Sequence, residues 1–264
     1  MEIIALPFVG FLIGLLIISL GGGGGGIYVG ILTAFFNVPP AIAAATSLAT
    51  IIPTTTIGAI SHWKAGNVNL HMGLTMMGGA VIGAVLGSLS SGWLPQNLYN
   101  KITGLLLVAL GIQMILTYRK KKNKGGQDRR KIEDGPAESC SYSGLDTGKA
   151  VFYGIMGGIM SGLVGVSGTA PIVAGLTVLG CGALETVGTS VLVLVGISVT
   201  GFGMHLGLGN VQWHLVGLLA AGTVTGAFLA PILLKRIRKA TLEKVLPPVL
   251  IVMTLLMGAI VISK

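Results

Sequence analysis

Long apolar runs, broken only by small residues and the occasional proline, set the pattern of this chain. They fall at Ala41–Ile60, His71–Leu94, Leu98–Tyr118, Thr186–His205, Trp213–Leu234 and Val245–Ile262, each close to the ~20 residues that carry a helix across a bilayer. Gly, Ser and Thr recur inside them, and membrane helices accept these better than soluble ones because small residues let helices approach closely. Two further apolar segments, Ile4–Phe36 and Val151–Leu179, are split by glycine, at Gly21–Gly26 and around Gly165–Gly168. The pattern predicts an all-α integral membrane protein with six full spans and two broken helical segments.

Composition supports this reading and removes others. Charged residues make up 9% of the chain, against roughly a quarter in soluble domains, too few to cover a water-facing surface. The net charge of +9 is concentrated: eight of the 17 basic residues lie in Arg119–Lys131 and five more between Lys235 and Lys244. Basic clusters beside spans mark cytoplasmic loops and suit contact with anionic lipid head groups. No nucleic-acid motif surrounds them. Met1–Leu20 carries only Glu2 as an early charge and runs into glycines rather than a cleavage site, so it is expected to belong to the fold and not to a signal peptide. The two cysteines, Cys140 and Cys181, lack the spacing of a metal or redox pair and read as ordinary thiols. No metal and no cofactor is expected.

The chain repeats itself. At an offset of 143 residues, Thr46-Ser47 falls on Thr189-Ser190, His62 on His205, Gly66-Asn67-Val68 on Gly209-Asn210-Val211 and His71 on His214. Gly79, Val81, Gly83, Ala84 and Leu86 fall on Gly222, Val224, Gly226, Ala227 and Leu229. From Gly58 to Leu86 this gives 11 identities in 29 positions, more than the apolar background would supply. The division is a first membrane repeat at 1–118, a basic linker at 119–147 and a second membrane repeat at 148–264. With the linker in the cytoplasm, the Trp93–Lys101 loop is external, while its counterpart Arg236–Lys244 carries the second basic cluster and belongs inside. Equivalent loops on opposite faces make two inverted repeats, each a Gly-broken short-helix pair plus three transmembrane helices, an architecture of secondary transporters. Both termini are then external. Every basic residue except Lys101 and Lys264 is cytoplasmic. Whether the short pairs re-enter or cross stays open, since either keeps the parity odd.

The spans hold almost no ionisable groups, which leaves no obvious proton relay, catalytic pair or metal cluster, so the chain is not expected to be an enzyme. Glu185 sits at a helix start, where a carboxylate caps and favours the helix dipole. His62 and His205 sit near span ends and read as capping or interfacial groups. Scattered glycines such as Gly78, Gly79, Gly83 and Gly87 read as helix packing. Backbone is what remains for chemistry. A glycine break accepts φ > 0 without a Cβ in the way, and the helix that follows turns its N–H groups and positive dipole end toward the same spot. Irregular backbone at membrane depth is tolerated only where protein buries it or a cavity meets it. An anion could therefore be held by N–H groups at Gly22, Gly25, Gly165 and Gly168, with Ser167, Thr169, Thr46, Ser47, Thr189 and Ser190 as hydroxyl donors. The same hydroxyls can instead bond back to the preceding turn.

The glycine break, Pro39-Pro40, Ala45-Thr46-Ser47-Leu48 and Gly66-Asn67-Val68, echoed by Gly165–Thr169, Gly188-Thr189-Ser190 and Gly209-Asn210-Val211, resemble the sulfite exporter TauE/SafE family, also called TSUP. The resemblance covers nearly the whole chain outside the Arg119–Gly148 linker. It implies transport of a sulfur-containing anion, such as sulfite or an organosulfonate, across the cell membrane, often as export. A passive anion channel and a non-transporting membrane scaffold or assembly factor are the alternatives. The expected partners are the anion and the lipid bilayer, and a homo-oligomer stays open. The topology makes a first prediction. With Cys140 and Cys181 replaced, single cysteines in Arg119–Lys131 and Arg236–Lys244 should be shielded from an impermeant external thiol reagent, and those in Trp93–Lys101 and Leu206–Gln212 should react. Labelling of Trp93–Lys101 and Arg236–Lys244 from one side would show the repeats to be parallel.

Overall fold

A computed structural model describes residues 6–14, 24–123, 144–208, 211–236 and 239–263. Its helices are α1 (6–14), α2 (Gly25–Ala34), α3 (Pro40–Lys64), α4 (Leu70–Ser91), α5 (Gln96–Asn123), α6 (Gly144–Val164), α7 (Thr169–Val178), α8 (Ala183–Gly207), α9 (Trp213–Arg236) and α10 (Lys239–Ile262). No strand occurs among the described residues. Four helical stretches, Pro40–Lys64, Leu70–Ser91, Asn97–Leu116 and Leu184–Gly207, are long and apolar enough to cross a bilayer. The protein is an all-helical, multi-pass membrane protein. Large apolar side chains such as Ile57, Trp63, Leu74, Ile82 and Leu105 stay exposed, as they do where lipid rather than water is the solvent.

Boundaries follow local chemistry. Pro39 and Pro40 open α3, where a missing N–H costs nothing. Pro53 sits inside it, and Thr54, Thr55 and Thr56 donate to Ile51 and Ile52 carbonyls around the interruption, as side chains do at prolines in membrane helices. Asn69 caps α4, accepting from the Met72 N–H at 3.0 Å. The expected loops are shorter than the sequence suggests, because α5 starts at Gln96 and α10 at Lys239. Helix α5 also runs to Asn123, into the basic cluster. The rest of that cluster, through residue 131, lies outside the described residues. The second broken segment is unequal, with a 21-residue α6 before a 10-residue α7.

Two glycine seams hold the helices together. Along α4 and α6, a Cβ added to Gly79 would stand 2.4 Å from the Val151 carbonyl oxygen, one on Gly83 2.2 Å from that of Ile155, and one on Gly158 2.0 Å from that of Ala80. The seam between α1 and α9 repeats this contact by contact. A Cβ on Gly222 would meet the Pro7 oxygen at 2.0 Å, one on Gly226 the Phe11 oxygen at 2.1 Å, and one on Gly14 the Thr223 oxygen at 2.3 Å. No hydrophobic drive separates helix from lipid, so close backbone approach is what favours association. The glycine identities found at 143 residues are thus packing contacts. In their partners, α1 and α6, the spacing is 144, since Gly14 matches Gly158 and Pro7 matches Val151. Gly78 departs from the expectation. Nothing lies within 4 Å of a Cβ there, so it faces outward and takes no part in the seam.

Helices α3 and α8 are counterparts that pack on each other in opposite directions. Gly58 meets Val191, and Gly201 meets Leu48, its repeat counterpart. The loop after α3 lies on the start of α8, where a Cβ on Gly188 would touch the Asn67 oxygen at 2.1 Å. Leu208, in the counterpart loop, closes the far end of α8 beside Gly92. The 25 residues of α8 place these two loops about 37 Å apart.

The seams give a second prediction. Gly83→Ala and Gly158→Ala should each lower the stability of the detergent-extracted protein by about 1–3 kcal/mol, because the added methyl forces two backbones apart. Gly78→Ala should leave it unchanged or slightly higher. Equal thermal midpoints for all three would remove the seam from the account.

Candidate functional site

The two glycine breaks meet on one hydroxyl. Ser47, eight residues into α3 and fully buried, places its Oγ 3.2 Å from the Gly25 carbonyl oxygen and 3.1 Å from that of Gly165. Its single proton is shared between two carbonyls that have left regular helix. A Cβ on Gly25 would stand 2.6 Å from the Ser167 nitrogen and 2.9 Å from the Gly165 oxygen, so the breaks touch directly. Gly165 adopts φ of 70°, a conformation that only glycine reaches at little cost, and it lies against Ala44. The other glycines answer to closeness rather than to φ. Gly24 and Gly168, which start α2 and α7, have nearly the same backbone (φ −60°, ψ 23° and φ −66°, ψ 22°). A Cβ on Gly168 would collide with the Gly157 oxygen at 2.2 Å.

A helix that stops inside a bilayer leaves carbonyls at one side of the break and N–H groups at the other. The two sides are treated differently here. At the end of α6, the Ser161 carbonyl accepts the Gly165 N–H at 2.7 Å. The Gly162 carbonyl takes the Ser88 hydroxyl at 3.2 Å and pairs with His205 Nε2 at 3.0 Å. The Leu163 carbonyl accepts from the buried Tyr99 hydroxyl. Side chains from α4, α5 and α8 thus seal this acceptor end. The donor ends stay open. Neither α2 nor α7 has a side-chain cap, and the N–H groups of Ser167, Gly168 and Thr169 find no acceptor among the described residues. Sealed acceptors beside open donors make a place that suits an anion.

The remaining sequence-selected residues divide. Ser167 and Thr169 hydrogen-bond each other through their hydroxyls, beside the open N–H groups. Thr46 is fully buried, and its Oγ1 has no partner. Thr189 Oγ1 accepts the Asn69 N–H at 3.0 Å, at the start of α8. Ser190 bonds back to the Val187 carbonyl at 2.9 Å. Gly22 lies outside the described residues. Gly25, Ser47, Gly165, Ser167, Gly168 and Thr169 are thus grouped by the breaks, while Thr189 sits under the loop after α3.

Comparison with known proteins assigns the family. The sequence model described as "Sulfite exporter TauE/SafE" matches residues 6–257. The chain belongs to the sulfite exporter TauE/SafE family. Among relatives, it is 29% identical over 221 residues to "Probable membrane transporter protein YdhB" of Bacillus subtilis (strain 168), covering 83% of this chain and 85% of the relative. It is 26% identical over 245 residues to "Probable membrane transporter protein YunE" of the same organism, covering 88% and 89%. No solved structure matches. Membership in the TauE/SafE family makes the chain a membrane transporter protein by kinship.

Several residues of this TauE/SafE protein escape sequence reasoning. Tyr99 and Ser88 carry no motif, and their value lies in reaching carbonyls 64 and 74 residues away. His205 is completely buried on Gly162 rather than interfacial, and its Nδ1 has no partner. Tyr28 shares a 2.8 Å hydrogen bond with Thr223 across 195 residues. Glu185 does not cap its own helix, since α8 begins at Gly182 without a side-chain cap; it accepts instead from Asn69 Nδ2 at 2.9 Å. Cys181 is disulfide-bonded, which corrects its reading as an ordinary thiol, and Cys140 lies outside the described residues.

Removing the shared hydroxyl tests the junction. Ser47→Ala leaves two buried carbonyls without their donor and should cost about 1–3 kcal/mol of stability. Ser190→Ala removes only a bond within its own helix and should cost no more than about 1 kcal/mol. Thermal unfolding of the two variants compares them directly, and an equal loss would deny Ser47 its joining role.

Proposed function

We propose that the chain is a secondary transporter that carries a small sulfur-containing oxyanion, sulfite or an organosulfonate, across the cell membrane by alternating access. The observation that carries this reading is the break itself, whose acceptor end is sealed by Ser88, His205 and Tyr99 while its donor end stays open. A sulfonate or sulfite group presents oxygens that need donors, and unpaired N–H groups at two helix starts supply them without a buried formal charge. Gly25, Gly165 and Gly168 place those backbones against one another, and Ser167 and Thr169 add hydroxyls that can turn toward the anion. Ser47 fixes the frame. Thr46, Thr189 and Ser190 belong to the surrounding gates rather than to the anion's first contacts. The family name supports sulfur chemistry.

We further read the two halves as inverted about the α3–α8 pair. Counterpart contacts exchange across it, Gly58 on Val191 and Gly201 on Leu48, and counterpart loops stand at opposite ends of α8. The basic end of α5 then faces the cytoplasm, together with the loop after α3. The loop at Leu208 faces out. Alternating access follows as a rocking of one unit against the other around the joined breaks.

Purified protein should gain thermal stability from sulfite, thiosulfate, sulfate or sulfoacetate in proportion to binding, about 2.7 kcal/mol at a hundredfold excess over Kd. In proteoliposomes the stabilising anion should show saturable, exchange-type flux. Flux that never saturates would make the protein a channel. No stabilisation by any of the four, with no flux, would leave it a scaffold and end the proposal.

A further inference from the structure

The two ends of α8 are not treated alike. At one end, the loop after α3 is fastened to the first two turns of α8 by contacts on one helix face. Asn69 N–H donates to Thr189 Oγ1 at 3.0 Å, and Asn69 Nδ2 donates to Glu185 Oε1 at 2.9 Å. Between them Gly188, lacking a Cβ, admits the Asn67 carbonyl to a point 2.1 Å from where that atom would stand. Positions 185, 188 and 189 are spaced to share a helix face, and Asn69 at the same time caps α4 through Met72, so the loop is held from both sides.

The repeat says what the other end would need for the same fastening. At 143 residues, Glu185 corresponds to Ile42, Gly188 to Ala45, Thr189 to Thr46 and Asn69 to Gln212. Ile42 offers no acceptor. Ala45 carries the methyl that Gly188 lacks, which keeps a loop carbonyl away. Thr46 retains the hydroxyl, yet its Oγ1 is buried without a partner, while Thr189 in the counterpart place is bonded. Gln212 is exposed, and the Leu215 N–H goes to its backbone oxygen rather than to a side-chain cap. Three of the four latch positions have been replaced, and the fourth is left with an idle hydroxyl.

We infer that Asn69, Glu185, Gly188 and Thr189 form a one-sided latch that keeps the Asn69 end of the transporter shut at rest, leaving the Leu208 end as the one that opens first. The inference rests on the two-repeat, alternating-access reading above. An equilibrium between two states shifts toward the state in which contacts are kept. If each end had an equally good latch, the two states would be balanced. Here only one end has one, so the resting population is set by sequence differences at Ile42, Ala45 and Gln212 and needs no ligand.

Hydrogen–deuterium exchange on the full chain in nanodiscs, without any anion, tests this. In the Glu185→Ala/Thr189→Val variant, amides of 65–72 should exchange about tenfold faster or more, the factor one charge-assisted hydrogen bond supplies. Amides of 211–217 should become more protected at the same time, because opening one end closes the other. A merely structural contact would free 65–72 and leave 211–217 unmoved, and that result overturns the latch. Glu185→Gln keeps an oxygen for Asn69 and should resemble the parent chain. Installing the missing groups, Ile42→Glu with Ala45→Gly and Gln212→Asn, should reverse the bias, slowing 211–217 and freeing 65–72; no change there overturns the inference independently of how well the first variant folds. Because no anion enters the experiment, a wrong substrate in the proposed function leaves its outcome standing. Failure of the exchange pattern with saturable flux intact would remove the latch alone.

Discussion

Backbone that leaves a helix inside a bilayer has no water to turn to, so its polar groups must be met by protein. In this chain that demand converges on Ser47, whose proton is shared by the Gly25 and Gly165 carbonyls. The rest of the centre follows from the junction. Helix α3 must pass close enough to both breaks for Ala44 to touch Gly165. The breaks in turn must lack side chains where they meet, and α6 must end where Ser88, Tyr99 and His205 can reach its last carbonyls. The open donors are what is left once the acceptors are closed.

The glycine seams answer a different constraint. Lipid is as apolar as the helix surfaces, so burial of side chains does little to bring spans together. Backbone proximity does, and α4 with α6, like α1 with α9, comes within a distance that a methyl group would forbid. Because both seams use the same register of glycines against carbonyls, each broken segment is carried as a rigid unit with one long span. Such units are what a rocking motion needs. The α3–α8 contact between them involves single glycines facing Leu48 and Val191 side chains, a looser surface on which sliding meets fewer obstacles.

Duplication supplies the frame, and departures from it supply direction. The 143-residue register of the long spans becomes 144 in the broken segments, since the turn after α2 spans 35–39 and the turn after α7 spans 179–182. The paired Gly24 and Gly168 keep nearly the same backbone despite that slip. Larger departures gather at the loops on α8 and α3, where Glu185, Gly188 and Asn69 have counterparts of other chemistry. A protein whose halves matched everywhere would have no preferred side.

Hydropathy by itself determined the membrane class, the six long spans and the two broken segments, because transferring a charged or unpaired group into lipid is so unfavourable that span positions are written in composition. Self-similarity added the repeat, and glycine spacing marked Gly79, Gly83, Gly222 and Gly226 before their contacts were known. Which face each glycine served was not legible, and Gly78 shows why: when lipid and helix interior are equally apolar, a period of 3.6 has no polar side to point to. Nor could sequence place Ser47 between two carbonyls 22 and 118 residues away, or turn Glu185 from its own helix to Asn69 across 116 residues. Those partners are chosen by how helices stack, and a hydroxyl or carboxylate has the same local options wherever the chain puts it. Tertiary structure decided which of them were taken.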